Sequence, residues 1–180
     1  MDFGNFPPLK YPTAYVSVDA IVFRPDDGKI LTGLRRDDPW KGYLTLMFGG
    51  YVDPTDEDAQ SAAVRETKEE TGLKVQLTGF VGIYGPERFR HRLRRIGGNN
   101  MFFAEATKEP AHIRPSVSIA FSSVVVDGTL NDTTEQKDLK WLDIKDIVDR
   151  EFIAFDHARA LSDWLNNFYS SKRALVFLNK

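Results

Sequence analysis

The chain has 180 residues, 42% of them hydrophobic, enough for one globular domain with a substantial core. Its formal net charge of −2 argues against general nucleic-acid binding, and the absence of cysteine excludes disulfides, thiolate nucleophiles and cysteine metal sites. No long apolar run or cleavable leader is present, so no membrane association is expected, and a cysteine-free chain suits a reducing cytoplasm.

Residues 1–14 read as an extended N-terminal arm broken by Pro7, Pro8 and Pro12. Its Phe3, Phe6, Leu9 and Tyr11 need a partner surface, in this chain or in a second subunit. Residues 15–180 read as a single domain. Tyr15 to Phe23 is rich in β-branched and aromatic residues and predicts a strand. Pro25-Asp26-Asp27-Gly28 predicts a turn, and Ile30 to Leu34 the return strand of a hairpin. Asp37 to Gly42 reads as a loop, and Tyr43 to Phe48 as a strand that delivers the chain to Gly49-Gly50.

Proline, threonine and acids at 53–56 predict a turn leading into capping residues. Ala59 to Thr71 then predicts a helix, stopped by Gly72. Lys74 to Tyr84 predicts one or two strands around Gly79. Arg88 to Arg95 carries five arginines and one histidine in eight residues. It reads equally well as a solvated loop or as a mobile lid bringing positive charge to a phosphorylated substrate. Gly97-Gly98-Asn99-Asn100 would give flexibility beside it.

Met101 to Ala106 predicts a short strand, Lys108 to Pro115 a loop, Val117 to Val126 a strong strand and Asp127-Gly128 a turn. Asp132 to Glu135 reads as a polar loop, Leu139 to Leu142 as a short strand and Asp143 to Val148 as a helical turn. Phe155 to Phe168 predicts an amphipathic helix with Ala158, Leu161, Leu165 and Phe168 as its apolar stripe. Ala174 to Leu178 reads as a final strand or a packed tail. Strands on both sides of an acidic helix, with a second helix near the end, indicate an α/β sandwich.

The acidic helix carries the chemistry. At about 100° per residue, Glu66, Glu69 and Glu70 fall within roughly 100° of one another. Like charges at i,i+3 and i,i+4 destabilise a helix. A hard divalent cation such as Mg²⁺ removes that penalty, because it takes carboxylate oxygens and waters. Arg65 sits about 100° away and is placed to orient one carboxylate through a two-pronged hydrogen bond. From charge alone, a solvated surface helix is an equally good reading.

The spacing adds to this. Gly49 to Leu73 resembles the signature of the Nudix hydrolases: Gly, five residues, Glu, seven residues, Arg-Glu, an apolar residue, any residue, Glu-Glu, any residue, Gly, apolar. Glu57, Arg65-Glu66, Glu69-Glu70, Gly72 and Leu73 match it. Six residues separate Gly50 from Glu57, one more than the pattern, and Thr67 replaces the usual aliphatic residue. Neither departure removes a metal ligand. Ser17-Val18-Asp19-Ala20, Phe48 to Pro54, Lys140-Trp141-Leu142 and Phe155-Asp156-His157-Ala158 look like the ADP-ribose pyrophosphatase branch.

The resemblance implies an α/β/α sandwich with a mixed sheet and a loop–helix–loop catalytic motif. It implies Mg²⁺, with Mn²⁺ as an alternative ion, held first by Glu66 and Glu70 and next by Glu69 and Glu57. Arg65 would orient and Gly50 would supply backbone contacts. Glu135 or Asp138 from the loop before Trp141 would take a proton from water, with Glu135 preferred, so that Glu69, Arg65 and Glu135 form the catalytic set. Gly50, Tyr51 and Arg88 would touch substrate. Phe23, Tyr51, Tyr84 and Phe89 are aromatic candidates to stack an adenine, though such residues more often belong to a core.

The implied reaction splits a nucleoside diphosphate derivative, ADP-ribose or a nucleotide sugar, into a nucleoside monophosphate and a sugar phosphate. The alternative is pyrophosphohydrolysis of nucleoside triphosphates, including oxidised ones. A ligand-binding regulator without turnover fits less well, because the signature acids are kept. RNA processing has only the arginine stretch in its favour. By analogy with similar ADP-ribose enzymes, the apolar arm fits a segment exchanged in a homodimer.

Overall fold

A computed structural model describes residues 14–38, 40–85, 89–96, 101–110 and 116–170. The arm before residue 14, Arg88, the run Gly97 to Asn100 and the terminal run from Ala174 lie outside the described residues.

The β-branched stretch at the start forms β1 (Tyr15–Arg24), which runs through the middle of the sheet. It pairs antiparallel with β2 (Lys29–Arg35) and with β4 (Phe48–Tyr51), and parallel with β8 (Ser116–Gly128). Strands β3 (Leu44–Thr45) and β9 (Gln136–Leu142) pair with β2. Strand β5 (Leu73–Tyr84) closes the other edge against β8. The result is a seven-stranded mixed sheet. Strands β6 (Phe89–Ile96) and β7 (Met101–Pro110) form a separate two-stranded sheet.

Successive side chains of a strand point to opposite faces, and β1 uses both. Val18 and Val22 pack on the side of α1 (Ala59–Thr71), where Ala62, Ala63, Phe48 and Phe121 are buried. Ile21 and Phe23 pack on the side of α2 (His157–Ser170), against Ala158, Leu161, Trp164 and Leu165. The ring of Phe23 meets Trp164 edge-on at 5.2 Å between centroids. Truncating a fully buried leucine such as Leu161 to alanine would cost about 2–5 kcal/mol. These layers are the sandwich expected from the sequence.

Helix α1 begins and ends for local reasons. The Asp58 carboxylate accepts the Ser61 amide at 2.7 Å, and the Ser61 hydroxyl accepts the Asp58 amide at 2.9 Å. This reciprocal cap satisfies two otherwise orphaned donors. Gly72 ends the helix in the left-handed conformation at φ 76°, its amide donating to Lys68 at 2.8 Å.

Four expectations need correction. The arginine-rich stretch is not a loop over 89–96: it is strand β6, hydrogen-bonded to β7 in register Ile96↔Met101. The alternation Arg90, Arg92, Arg94 against Phe89, His91, Leu93 is itself a strand period, which the charge count hid. Strand β7 also extends through Pro110, into the stretch expected to be a loop. The single strand expected over 43–48 is split into β3 and β4, and Gly49-Gly50 lie inside β4 rather than beyond it. Finally, Gly128 does not turn the chain but closes β8, paired with Leu73.

The β6–β7 hairpin is tied to the body. Asn166 of α2 accepts the Phe102 amide at 2.9 Å and donates to the Phe102 carbonyl at 2.8 Å, standing in for a neighbouring strand. Arg94 also pairs with Asp149.

Candidate active site

The site forms where β4 passes between α1 and β1 without side chains. Gly49 lies opposite Asp19 in the ladder, and Gly50 opposite Val18. A Cβ at Gly49 would stand 1.8 Å from the Val18 carbonyl oxygen. One at Gly50 would stand 2.5 Å from Glu66 Oε2. Only glycine lets the helix bring its carboxylates so near the sheet.

Glu70, one turn further along α1, is 5% exposed. Its Oε2 accepts the Gly49 amide at 3.0 Å and its Oε1 accepts Gln136 Nε2 at 3.2 Å. Burial raises its pKa to about 8; the two hydrogen bonds oppose the rise, and the nearby Asp19 and Glu135 add to it. Burial likewise raises Glu66, opposed by Arg65.

Arg65 is the hub of the outer network. It holds Asp56 with two parallel bonds, Nε to Oδ1 at 2.9 Å and Nη2 to Oδ2 at 2.8 Å. Its Nη1 reaches Glu66 at 2.7 Å and Glu69 at 3.2 Å. The paired bonds from Arg65 to Asp56 hold the Asp56 carboxyl down to about 2. The two-pronged partner is therefore Asp56, in the turn before the helix, while the bond to Glu66 is single.

A cavity of about 800 Å³ opens over these groups. Asp19, Arg35, Gly50, Tyr51, Arg65, Glu66, Glu70, Ser118, Glu135, Gln136, Asp156 and His157 are among the residues around it. Ser118 of β8 donates to Asp19, which is partly open to the cavity yet deep in the fold. Burial raises Asp19 to about 7, against the pull of Ser118. His157 is buried; its Nδ1 accepts the Leu46 amide at 3.2 Å. Burial and the charge of Arg35 hold its pKa down at about 3. Arg35 lies over the Phe155 ring at 4.8 Å, and Phe155 itself occupies the left-handed region at φ 47°.

Of the residues singled out from the sequence, Glu66, Glu70, Arg65, Glu135, Gly50 and Tyr51 are brought together around this cavity. Glu69 is exposed and engaged with Arg65, and Glu57 is exposed; neither lines the cavity. Asp138 also lies away from it. Tyr51 stacks tilted against Tyr15 at 5.5 Å at the mouth, Tyr84 lines the wall, and Phe23 is core. Asp19, Gln136 and Asp56 were missed as site residues. Asp19 had a signal: a lone carboxylate in an apolar strand is costly unless it serves a site. Gln136 had none.

Two carboxylates beside a bare glycine backbone suit a hard cation that keeps several waters. Among the described residues no group of three or more histidine or carboxylate side chains forms a ready metal cage. Arg65 holds Glu66 and Glu69, while Gly49 and Gln136 hold Glu70. The donor set and its crowding nonetheless fit the ion.

The profile of the NUDIX domain matches residues 14–165. The chain belongs to the NUDIX family. It is a Nudix hydrolase. It is 30% identical over 152 residues to an ADP-ribose pyrophosphatase of Methanocaldococcus jannaschii, covering 83% of this chain and 72% of that one. It is 30% identical over 122 residues to a protein of Bacillus subtilis described as a putative 8-oxo-dGTP diphosphatase, covering 68% of this chain and 62% of the relative. By fold, it resembles the NUDIX domain of Shewanella oneidensis NrtR solved with ADP ribose, with a TM-score of 0.63 and 18% identity over 91% of this chain and 94% of that domain. No helix among the described residues of this Nudix domain is long and apolar enough to cross a membrane.

Proposed function

We propose that this Nudix hydrolase cleaves the diphosphate linkage of ADP-ribose or a related nucleotide sugar, with Mg²⁺ held by Glu66 and Glu70. The observation that carries the reading is the pairing of these two carboxylates against the side-chain-free Gly49-Gly50 backbone inside a ligand-sized cavity. The M. jannaschii relative supports the choice of substrate.

Bound Mg²⁺ would neutralise phosphate oxygens and acidify the attacking water. The protein supplies the rest. Glu66 and Glu70 would hold the ion, and the Gly49 amide and Gln136 fix the Glu70 carboxylate. Arg65 orients Glu66 and Glu69. Glu135, on the cavity wall, takes the proton of the water. Glu57 and Glu69, exposed and off the cavity lining, would be secondary carboxylates for the ion. Tyr51 and the Gly50 backbone flank the diphosphate.

The test is a substrate panel with Mg²⁺ or Mn²⁺ and with EDTA. AMP and ribose 5-phosphate from ADP-ribose, dependent on the ion, are the expected products. Release of pyrophosphate from nucleoside triphosphates at a higher kcat/KM would assign the enzyme to the alternative substrate class.

A further inference from the structure

We propose that Thr133 and Gln136 are positioning residues: together they clip the loop that carries Glu135 to the last turn of α1, and so hold the proton acceptor in place before substrate arrives. The proposal rests on the reading above for the role of Glu135.

The end of α1 supplies the anchor. The last carbonyls of an α-helix have no partner within it. Here Lys68 is answered by the Gly72 amide, but the next partners come from a distant loop. The Thr71 carbonyl accepts the Asn131 amide at 3.0 Å, and the Glu70 carbonyl accepts the Thr133 hydroxyl at 3.3 Å.

Thr133 then passes the hold along the loop. Its hydroxyl also accepts the Gln136 amide at 3.2 Å, while its own amide donates to the Gln136 carbonyl at 2.9 Å. Residues 133–136 thus form a closed turn, hung on α1 by one hydroxyl. The Gln136 side chain, 1% exposed, makes the second attachment, Nε2 to Glu70 Oε1 at 3.2 Å. Glu70 is therefore gripped by both its backbone and its carboxylate.

Glu135 lies inside this turn. It is exposed and lines the cavity, and its carbonyl accepts the Arg36 amide at 2.8 Å. Its charge acts on both Glu66 and Glu70. A carboxylate on an untethered loop would have to be ordered in each turnover, whereas a tethered one is ordered already. Thr133 itself is half-buried and does not line the cavity, so any effect it has on turnover passes through other residues.

The experiment is a double-mutant cycle between Thr133→Val and Glu135→Gln, with Thr133→Ser as the conservative control. Kinetics use the substrate turned over fastest in the panel above. Amide exchange of Gln136 is followed without substrate or metal, and thermal melts show that each variant is folded. Thr133→Val should lower kcat about tenfold with KM nearly unchanged, and Thr133→Ser should restore it. In the Glu135→Gln background the same valine should change kcat by less than about twofold, because no acceptor is left to position. Exchange at Gln136 should be about tenfold faster in Thr133→Val than in the parent. Parent kcat in the folded valine variant, an equal loss in both backgrounds, or unchanged exchange would overturn the clip. Parent kcat in Glu135→Gln would instead refute Glu135 as the proton acceptor, and with it the catalytic purpose of the clip, while faster exchange in Thr133→Val would still show the attachment itself.

Discussion

Glu66 reaches the β4 backbone because position 50 has no side chain: a Cβ on Gly50 would lie 2.5 Å from Glu66 Oε2. Gly50→Ala must therefore push the carboxylate away or shift the strand. The expected outcome is a loss of kcat of roughly tenfold to a hundredfold, with the Tm reduced by only a few degrees, because the clash falls on the end of a side chain. Steady-state kinetics beside a thermal melt measure both. Wild-type kcat in the variant would show that Glu66 works elsewhere.

Glu70→Gln should separate stability from activity. The native carboxylate is buried, and its pKa is raised mainly by that burial. Glutamine keeps the shape and can still accept the Gly49 amide. The Gln136 amide can turn over and offer its Oε1, which is buried without a partner. Tm should hold or rise, while Mg²⁺-dependent turnover falls by roughly a hundredfold or more. A folded variant with full turnover would remove Glu70 from the metal set.

Arg65→Lys tests the outer network. Lysine is a point charge and cannot reproduce the two parallel bonds to Asp56. The Asp56 carboxyl is held at about 2 against an ordinary 3.8, chiefly by those bonds. A depressed carboxylate stabilises the fold above its ordinary pKa, and that stability is lost as pH falls towards the depressed value. The Tm gap between parent and variant should therefore be largest at neutral pH and shrink below about pH 4. A gap independent of pH would mean that lost packing, not the ion pair, sets the difference.

His157 should leave its mark on acid stability. Its folded pKa of about 3 lies below the ordinary 6.5, so between these values the unfolded chain binds a proton that the folded chain refuses. Stability contributed through this group is intact above pH 6.5 and drains away as pH falls towards 3. His157→Gln cannot titrate. Relative to that variant, the parent should lose Tm progressively over this window; parallel melting curves would show that the ring is protonated in the fold.

Much of the architecture could be read from local pattern. Helix α1 was legible because its cap residues, its repeat and Gly72 agree, and β1 because it is rich in β-branched and aromatic residues. The β6 strand was hidden because arginines suggested solvent, whereas strand pairing depends on the backbone as much as on side-chain polarity. At the site, the spacing of Glu66 and Glu70 could be read along one helix. The partners of those groups could not: Gln136 meets Glu70 across 66 residues, and Asp19 meets Ser118 across 99. Such pairs arise from the register of β1 with β8 and of β2 with β9, which no short window contains.

The glycine pair in β4 is a window through the sheet. Glu66 and Glu70 approach it from the α1 layer, and His157 from the start of α2 in the opposite layer. A ligand seated there would touch both layers at once and rivet them together. Its binding energy would then slow amide exchange in α1 and α2 by a common factor, although the two helices lie in different layers.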